Sequence, residues 1–185
     1  MPMPSVTEIV ASVGIGRRYD MVPAATMAHV RTRGRGLHKA IHYHFEGDLD
    51  PDSLHPEIAR GFQAFQGWVE ASGFTPLPGW VEKECEHPQW RFRGHPDVIG
   101  HIRDGRLVIP DWKTNSFDPL ATGCQLAGYA MLWDVCGTGE KLDETLVVLL
   151  STKTGKAAPI PIDWKEYLQI FQAAVIVYHA INERG

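Results

Sequence analysis

Apolar residues recur along this chain with a period that switches between helical and extended, and each switch marks an element. Val6 to Val13 reads as a short helix opened by Ser5, with Thr7 and Glu8 in its first turn. Arg35 to Phe45 reads as a second helix, following the flexible Gly34 and Gly36 and stopping near Gly47. Ile58, Phe62, Phe65 and Val69 keep helical spacing through Pro56 to Ser72, with Gly73 as the stop. Extended segments are expected at about 79–86, 90–100 and 106–113. A helix begins after Asp118-Pro119, a capping residue followed by proline in the first helical position, and runs to about Val135 before Cys136-Gly137. Thr145 to Leu150 and Ala158 to Ile162, joined by Lys153-Thr154-Gly155-Lys156, read as a second hairpin, and Trp164 to Asn182 as a last helix. Helices, three strands, a helix, two strands and a helix predict one α/β domain over residues 1–185, a mixed sheet with helices packed on its faces.

Against this pattern the stretch from Glu82 to Lys113 is out of place, because it sets charges at the polar ends of two apolar strands. Asp97, Asp111 and Lys113 stand beside Leu107 and Ile109. Such groups are costly to dry out, and a bound divalent cation is a typical compensation. Gly94-His95-Pro96-Asp97 has the composition of a hairpin turn. Further on, Arg103-Asp104-Gly105 suits a three-residue hairpin loop whose glycine takes the left-handed conformation. That loop sets Asp97 directly across from Asp111, and side-chain alternation keeps Lys113 on the face of Asp111. A two-residue loop would send the aspartates to opposite faces. The set suits phosphodiester cleavage with Mg²⁺ or Mn²⁺ held by Asp97, Asp111 and the carbonyl of Trp112. Lys113 would orient or deprotonate the attacking water, or offset charge developing on the phosphate.

Composition narrows the alternatives. The 185 residues, 44% of them apolar, suffice for one domain with a sizeable core. No run is long enough to cross a bilayer, and the start Met1-Pro2-Met3-Pro4 has neither the basic nor the apolar region of a signal peptide, so a cytoplasmic protein is expected. Cys85, Cys124 and Cys136 are odd in number, widely spaced and never in a C-x-x-C pair, which predicts reduced core thiols. The formal net charge of -4 gives no overall attraction to a polyanion. Nucleic-acid affinity would rest on local patches: Arg31, Arg33, Arg35 and Lys39, then Arg91 and Arg93, then Lys153 and Lys156. Trp68, Trp80, Trp90 and Trp164 read as core or hairpin packing.

In chain order, Arg33-Gly34-Arg35-Gly36-Leu37-His38, Glu82, Gly94-x-x-Asp97, Asp111-Trp112-Lys113-Thr114 and Gln125-x-x-x-Tyr129 resemble the PD-(D/E)XK nuclease superfamily, in particular its RecB-like and phage exonuclease-like branch. The similarity runs from the first helix to about residue 135. It implies a restriction-endonuclease-like core with a central mixed sheet of about five strands. It also implies a DNA exonuclease of recombination, repair or phage DNA processing, using Mg²⁺ or Mn²⁺ in a bacterial or phage-infected cell. On that resemblance Asp97, Asp111, Lys113 and Glu82 are catalytic, His38 adds a metal ligand, and Gln125, Tyr129 and Arg35 contact the substrate. Four-residue spacing puts Gln125 and Tyr129 on one helical face. Relatives also suggest a recombination or single-strand annealing protein as partner, and a homo-oligomer. Iron-sulfur relatives use four cysteines, which this chain lacks, so no cluster is expected. Trp112 stands where tyrosine, isoleucine or phenylalanine is more common, and His95 where a small hydroxyl residue is frequent.

Two other classes compete. A non-catalytic DNA-binding module of the same fold would bind DNA without cutting it, although every catalytic position is filled here. A zinc hydrolase could use His38 and His42, four apart on one helical face, but lacks the glutamate of an H-E-x-x-H pair. Otherwise His42 and His44 are read as structural. Glu82, Glu84 and Glu86 alternate on one strand face, with Glu84 and Glu86 solvated.

Overall fold

A computed structural model describes residues 3–16 and 24–182; Met1 and Pro2 of the opening segment lie outside them. Three helices come first, α1 (Val6–Ser12), α2 (Ala24–Glu46) and α3 (Pro56–Ser72). The strands β1 (Thr75–Val81), β2 (Cys85–His87), β3 (Phe92–Gly94), β4 (Val98–His101) and β5 (Leu107–Thr114) follow. Then come α4 (Pro119–Cys136), β6 (Glu144–Leu150), β7 (Ala157–Ile162) and α5 (Trp164–Asn182). The first six residues of β5 are buried without alternation, as in a strand covered on both faces. It is accordingly the centre of a five-stranded mixed sheet ordered β1-β4-β5-β6-β7. β5 and β6 run parallel, joined through α4, and the other neighbours are antiparallel.

Each face of the sheet has its own apolar layer. Ile99, Leu107, Ile109 and Val147 pack with α1, α4 and α5. Val98, Val108, Trp112 and Val148 pack with α2 and α3, where the Trp112 indole stands edge-on to Phe65 and Trp68. Such aromatic pairs add about 1 kcal/mol each beyond burial. Local chemistry sets the helix ends: Ser5 and Glu8 form a reciprocal capping box on α1, and Asp118 Oδ1 accepts from the Ala121 N–H at the start of α4. Gly73, at φ 64, closes α3 in the left-handed conformation. No helix among the described residues is long and apolar enough to cross a membrane. Cys85, Cys124 and Cys136 are all free, and burial pushes the Cys85 thiol, beside Cys136, up to about 12.

Three expectations need correction. The extended segments 79–86 and 90–100 are each broken in two, and their distal halves β2 and β3 pair as a separate two-stranded sheet. The first break falls at Glu82 and the second at 95–97, while Arg91 ends the turn that returns β2 to β3; Glu82 and Arg91 are non-glycine residues at φ 45 and φ 53 that leave no mark in the composition. Gly94-His95-Pro96-Asp97 is therefore no hairpin turn but the crossing from the small sheet to β4. Finally, α2 begins at Ala24 rather than Arg35 and runs through both glycines. A Cβ on Gly36 would lie 2.6 Å from Ile58 Cδ1, so this glycine permits close approach of α3 rather than flexibility.

Candidate active site

The register of β4 on β5 builds the site. Gly100 pairs with Val108 and His101 with Leu107, the Ile102 N–H donates to the Arg106 carbonyl at 3.1 Å, and the loop that these last two close is the three residues 103–105. The Gly105 N–H donates to the Ile102 carbonyl at 2.9 Å, and Gly105 takes φ 84. Continued towards the other strand ends, this register sets Asp97 opposite Asp111. The ladder stops before Pro110, which has no N–H to give, and the Trp112 N–H instead reaches Asp97 Oδ2 at 3.4 Å. The Glu82 N–H donates to the Asp97 carbonyl at 3.0 Å and ties the chain before β2 to the same point.

Each aspartate faces a cation of the protein itself. Lys113 Nζ donates to Asp111 Oδ1 at 3.0 Å. It is also 2.7 Å from Oδ2, an ionic contact off the hydrogen-bonding direction, so this buried oxygen has no aligned donor. From α4, Gln125 Nε2 donates to Asp111 Oδ1 and to Tyr129 Oη, both at 3.1 Å, while Gln125 Oε1 accepts from Lys113 at 3.3 Å. Gln125 thus fixes the lysine against its carboxylate. Gly94 leaves room for Tyr129: a Cβ there would lie 3.2 Å from Tyr129 Cε1.

His38 reaches over from α2. Its Nδ1 donates to Asp97 Oδ1 at 3.2 Å and its Nε2 to the Trp112 carbonyl at 2.9 Å. An ionised carboxylate and a carbonyl only accept, so both ring nitrogens carry protons and His38 is an imidazolium. Its pKa agrees. Burial opposes the charged ring, but the charge and hydrogen bond of Asp97, with Asp111 beyond, outweigh it and His38 is pushed up to about 9. Burial also works to raise both carboxyls. At Asp97 it is overcome by His38, then by Lys113 and the Trp112 N–H, and the group is held below its ordinary range. At the almost fully enclosed Asp111 burial prevails over Lys113, and the carboxyl stands above that range. Burial, then the two aspartates, push the Tyr129 hydroxyl up, which keeps it protonated.

A cleft of about 600 Å³ opens over Asp97, walled by Thr7, Arg35, His38, His95, Gln125 and Tyr129. Among the described residues no three histidine, cysteine, aspartate or glutamate side chains form a preformed metal cage, and His38 and Lys113 occupy the two carboxylates. The donor set nevertheless suits a hard divalent cation. It offers two carboxylates, a carbonyl and, once His38 gives up a proton, an imidazole, and the enclosed Asp111 Oδ2 lacks an aligned donor.

The structure thus brings together Asp97, Asp111, Lys113, His38, the Trp112 carbonyl, Gln125 and Tyr129, with Arg35 and Glu82 on the border of the cleft. Glu82 is not on a strand face with Glu84 and Glu86. It is exposed at a positive φ, with Oε2 3.9 Å from His42 Nδ1. Glu84 is not merely solvated but ion-paired with Arg93. His38 and His42 do not share a ligand point, since His38 uses both nitrogens on Asp97 and Trp112 while His42 lies by Glu82, which removes support for the zinc site. His44 stands edge-on to Phe62 and Phe65. Sequence reading missed Thr7 on the cleft wall, for nothing in the chain signals that α1 packs there. It also passed over Tyr43, although its four-residue spacing from Lys39 was visible.

A sequence profile described as the PD-(D/E)XK nuclease superfamily matches residues 52–175, about two thirds of the chain. The chain belongs to the PD-(D/E)XK nuclease superfamily. The matched span takes in Asp97, Asp111, Lys113, Gln125 and Tyr129, and it begins after α2, so His38 and Arg35 join the site through geometry. PD-(D/E)XK nucleases typically use divalent metal ions such as Mg²⁺. None of the curated proteins compared with the chain matches it.

Proposed function

We propose that this protein is a Mg²⁺- or Mn²⁺-dependent deoxyribonuclease, acting as an exonuclease in DNA recombination, repair or phage DNA processing. The observation that carries the nuclease reading is the opposition of Asp97 and Asp111 across β4 and β5, each facing a positive partner in one polar volume at the end of an apolar sheet. Superfamily membership supports it. The exonuclease assignment rests on the motif order of the RecB-like and phage exonuclease-like branch, ending in Gln125-x-x-x-Tyr129.

In this reading Asp97, Asp111 and the Trp112 carbonyl hold the cation, and His38 joins them on losing a proton. A divalent ion bound there would supply Lewis-acid polarisation of the phosphate and acidify a water. Lys113, oriented by Asp111 and Gln125, places its ammonium against the charge that grows on the phosphate oxygens. Tyr129 keeps its proton and closes the wall beside Gln125. Glu82 borders the cleft as an exposed carboxylate.

Purified protein should degrade linear DNA with Mg²⁺ or Mn²⁺ and leave covalently closed circles intact, because an exonuclease needs an end. Asp111→Ala should lower the rate at least about a hundredfold with its circular dichroism unchanged. Opening of the circle would overturn the exonuclease assignment. DNA retained but uncut in either metal would overturn the nuclease reading and favour a binding module.

A further inference from the structure

One row round α2 from His38 and His42, the residues Arg31, Arg35, Lys39 and Tyr43 recur every four positions and so line one face of the helix. All four are exposed. Lys39 Nζ lies 5.3 Å from the centre of the Tyr43 ring, yet 38% of Tyr43 stays open. A second cleft of about 530 Å³ runs under this row and is lined by Arg35, Lys39, His42 and Tyr43. It is continuous with the first, since Arg35, His38 and Glu82 border both. A trough therefore leads from Asp97 out along α2, and Arg35 to Tyr43 alone spans about 12 Å at the helical rise.

The chemistry of this trough is selective. In a chain of net charge -4, three cations in one row are a local reversal of sign. An open aromatic ring at the end of that row adds what a duplex cannot use, a face on which an unpaired base stacks while its phosphates lie on the cations. Across the trough Glu82 repels phosphate and keeps a strand on the α2 side. We propose that α2 binds single-stranded DNA next to the scissile phosphate, with Arg35 and Lys39 on its phosphates and Tyr43 stacked on a base. The inference rests on the nuclease reading only for where the scissile phosphate sits.

The test is fluorescence anisotropy of a labelled single-stranded oligonucleotide and of a blunt duplex of equal length, with the full chain in Ca²⁺. For the single strand, Tyr43→Ala should weaken binding about tenfold and Tyr43→Phe should stay within about twofold of wild type. Lys39→Gln should reduce the slope of log affinity against log salt by about 0.7. The duplex should be indifferent to Tyr43→Ala. Equal binding of the single strand by Tyr43→Ala and wild type, or the same loss on duplex, would overturn the proposal. If wild type cleaves DNA while Tyr43→Ala changes nothing, the trough falls and the nuclease reading stands. Strand binding that follows this pattern without cleavage in any divalent metal means the converse.

Discussion

At the scale of single residues the Asp111–Lys113 pair is unequal, and mutations should expose that. Asp111 is 2% exposed and Lys113 25%, so the lysine can turn to water while the carboxylate cannot. Lys113→Met strands a buried acid, but one whose pKa burial has already raised, so taking up a proton limits the cost to about 2 kcal/mol. Asp111→Asn leaves a lysine with access to solvent and should cost under about 1 kcal/mol. Urea denaturation measures both, and both variants should lose nuclease activity. His38 sets the alkaline behaviour. Its folded pKa of about 9 lies above the ordinary 6.5, so its stabilisation is fully present below pH 6.5 and lost as pH rises through about 9. Asp97 acts at the other end: its depressed pKa stabilises the fold above the ordinary carboxyl range and is lost as pH falls through the folded value. The melting temperature of metal-free protein should therefore fall between pH 7 and pH 9.5, and His38→Gln should remove most of that slope. A slope unchanged in His38→Gln would place the titration elsewhere.

At the scale of elements, a mixed sheet with helices on its faces was legible in the chain because most elements carry their own spacing, although β5, covered on both faces, does not alternate. β5 and its three-residue loop could be read because Gly105 occupies the one conformation that loop needs. The small β2–β3 sheet could not, because Glu82 and Arg91 bend the backbone without the glycine that marks such bends. Glycines also misled, since Gly36 serves packing against Ile58. Two glycine variants separate these roles. A Cβ on Gly100 would lie 2.2 Å from the Thr75 carbonyl oxygen and 2.8 Å from Pro76 Cα, backbone atoms of β1 that cannot turn aside. Gly100→Ala should cost about 3 kcal/mol in urea and displace Asp97 with β4. At Gly36 the obstacle is the mobile end of Ile58, and the gain in helix propensity offsets it, so Gly36→Ala should stay within about 1 kcal/mol of wild type.

At the scale of the whole molecule, the cleft is assembled from both layers. α2 on one side of the sheet brings His38, and α4 on the other brings Gln125 and Tyr129. The order of the motifs was plain in the sequence. What the sequence did not reveal is that His38, 59 positions before Asp97, would already be bonded to it and to the Trp112 carbonyl. Long-range closure of this kind depends on how both layers pack, which no local pattern encodes. Because a bound cation favours only the folded assembly, Mn²⁺ at a hundred times its dissociation constant should add about 2.7 kcal/mol to stability. At the same Mn²⁺ concentration Asp97→Asn should lose at least about half of that gain. The measurement that bears most directly on the opposed aspartates is a Mn²⁺ titration at pH 8 of wild type, Asp97→Asn and Asp111→Asn. Wild type should bind, and each variant should bind at least about tenfold more weakly, because each removes one of two carboxylates from the same ion. Wild-type affinity retained in both variants would mean that Asp97 and Asp111 do not share a cation.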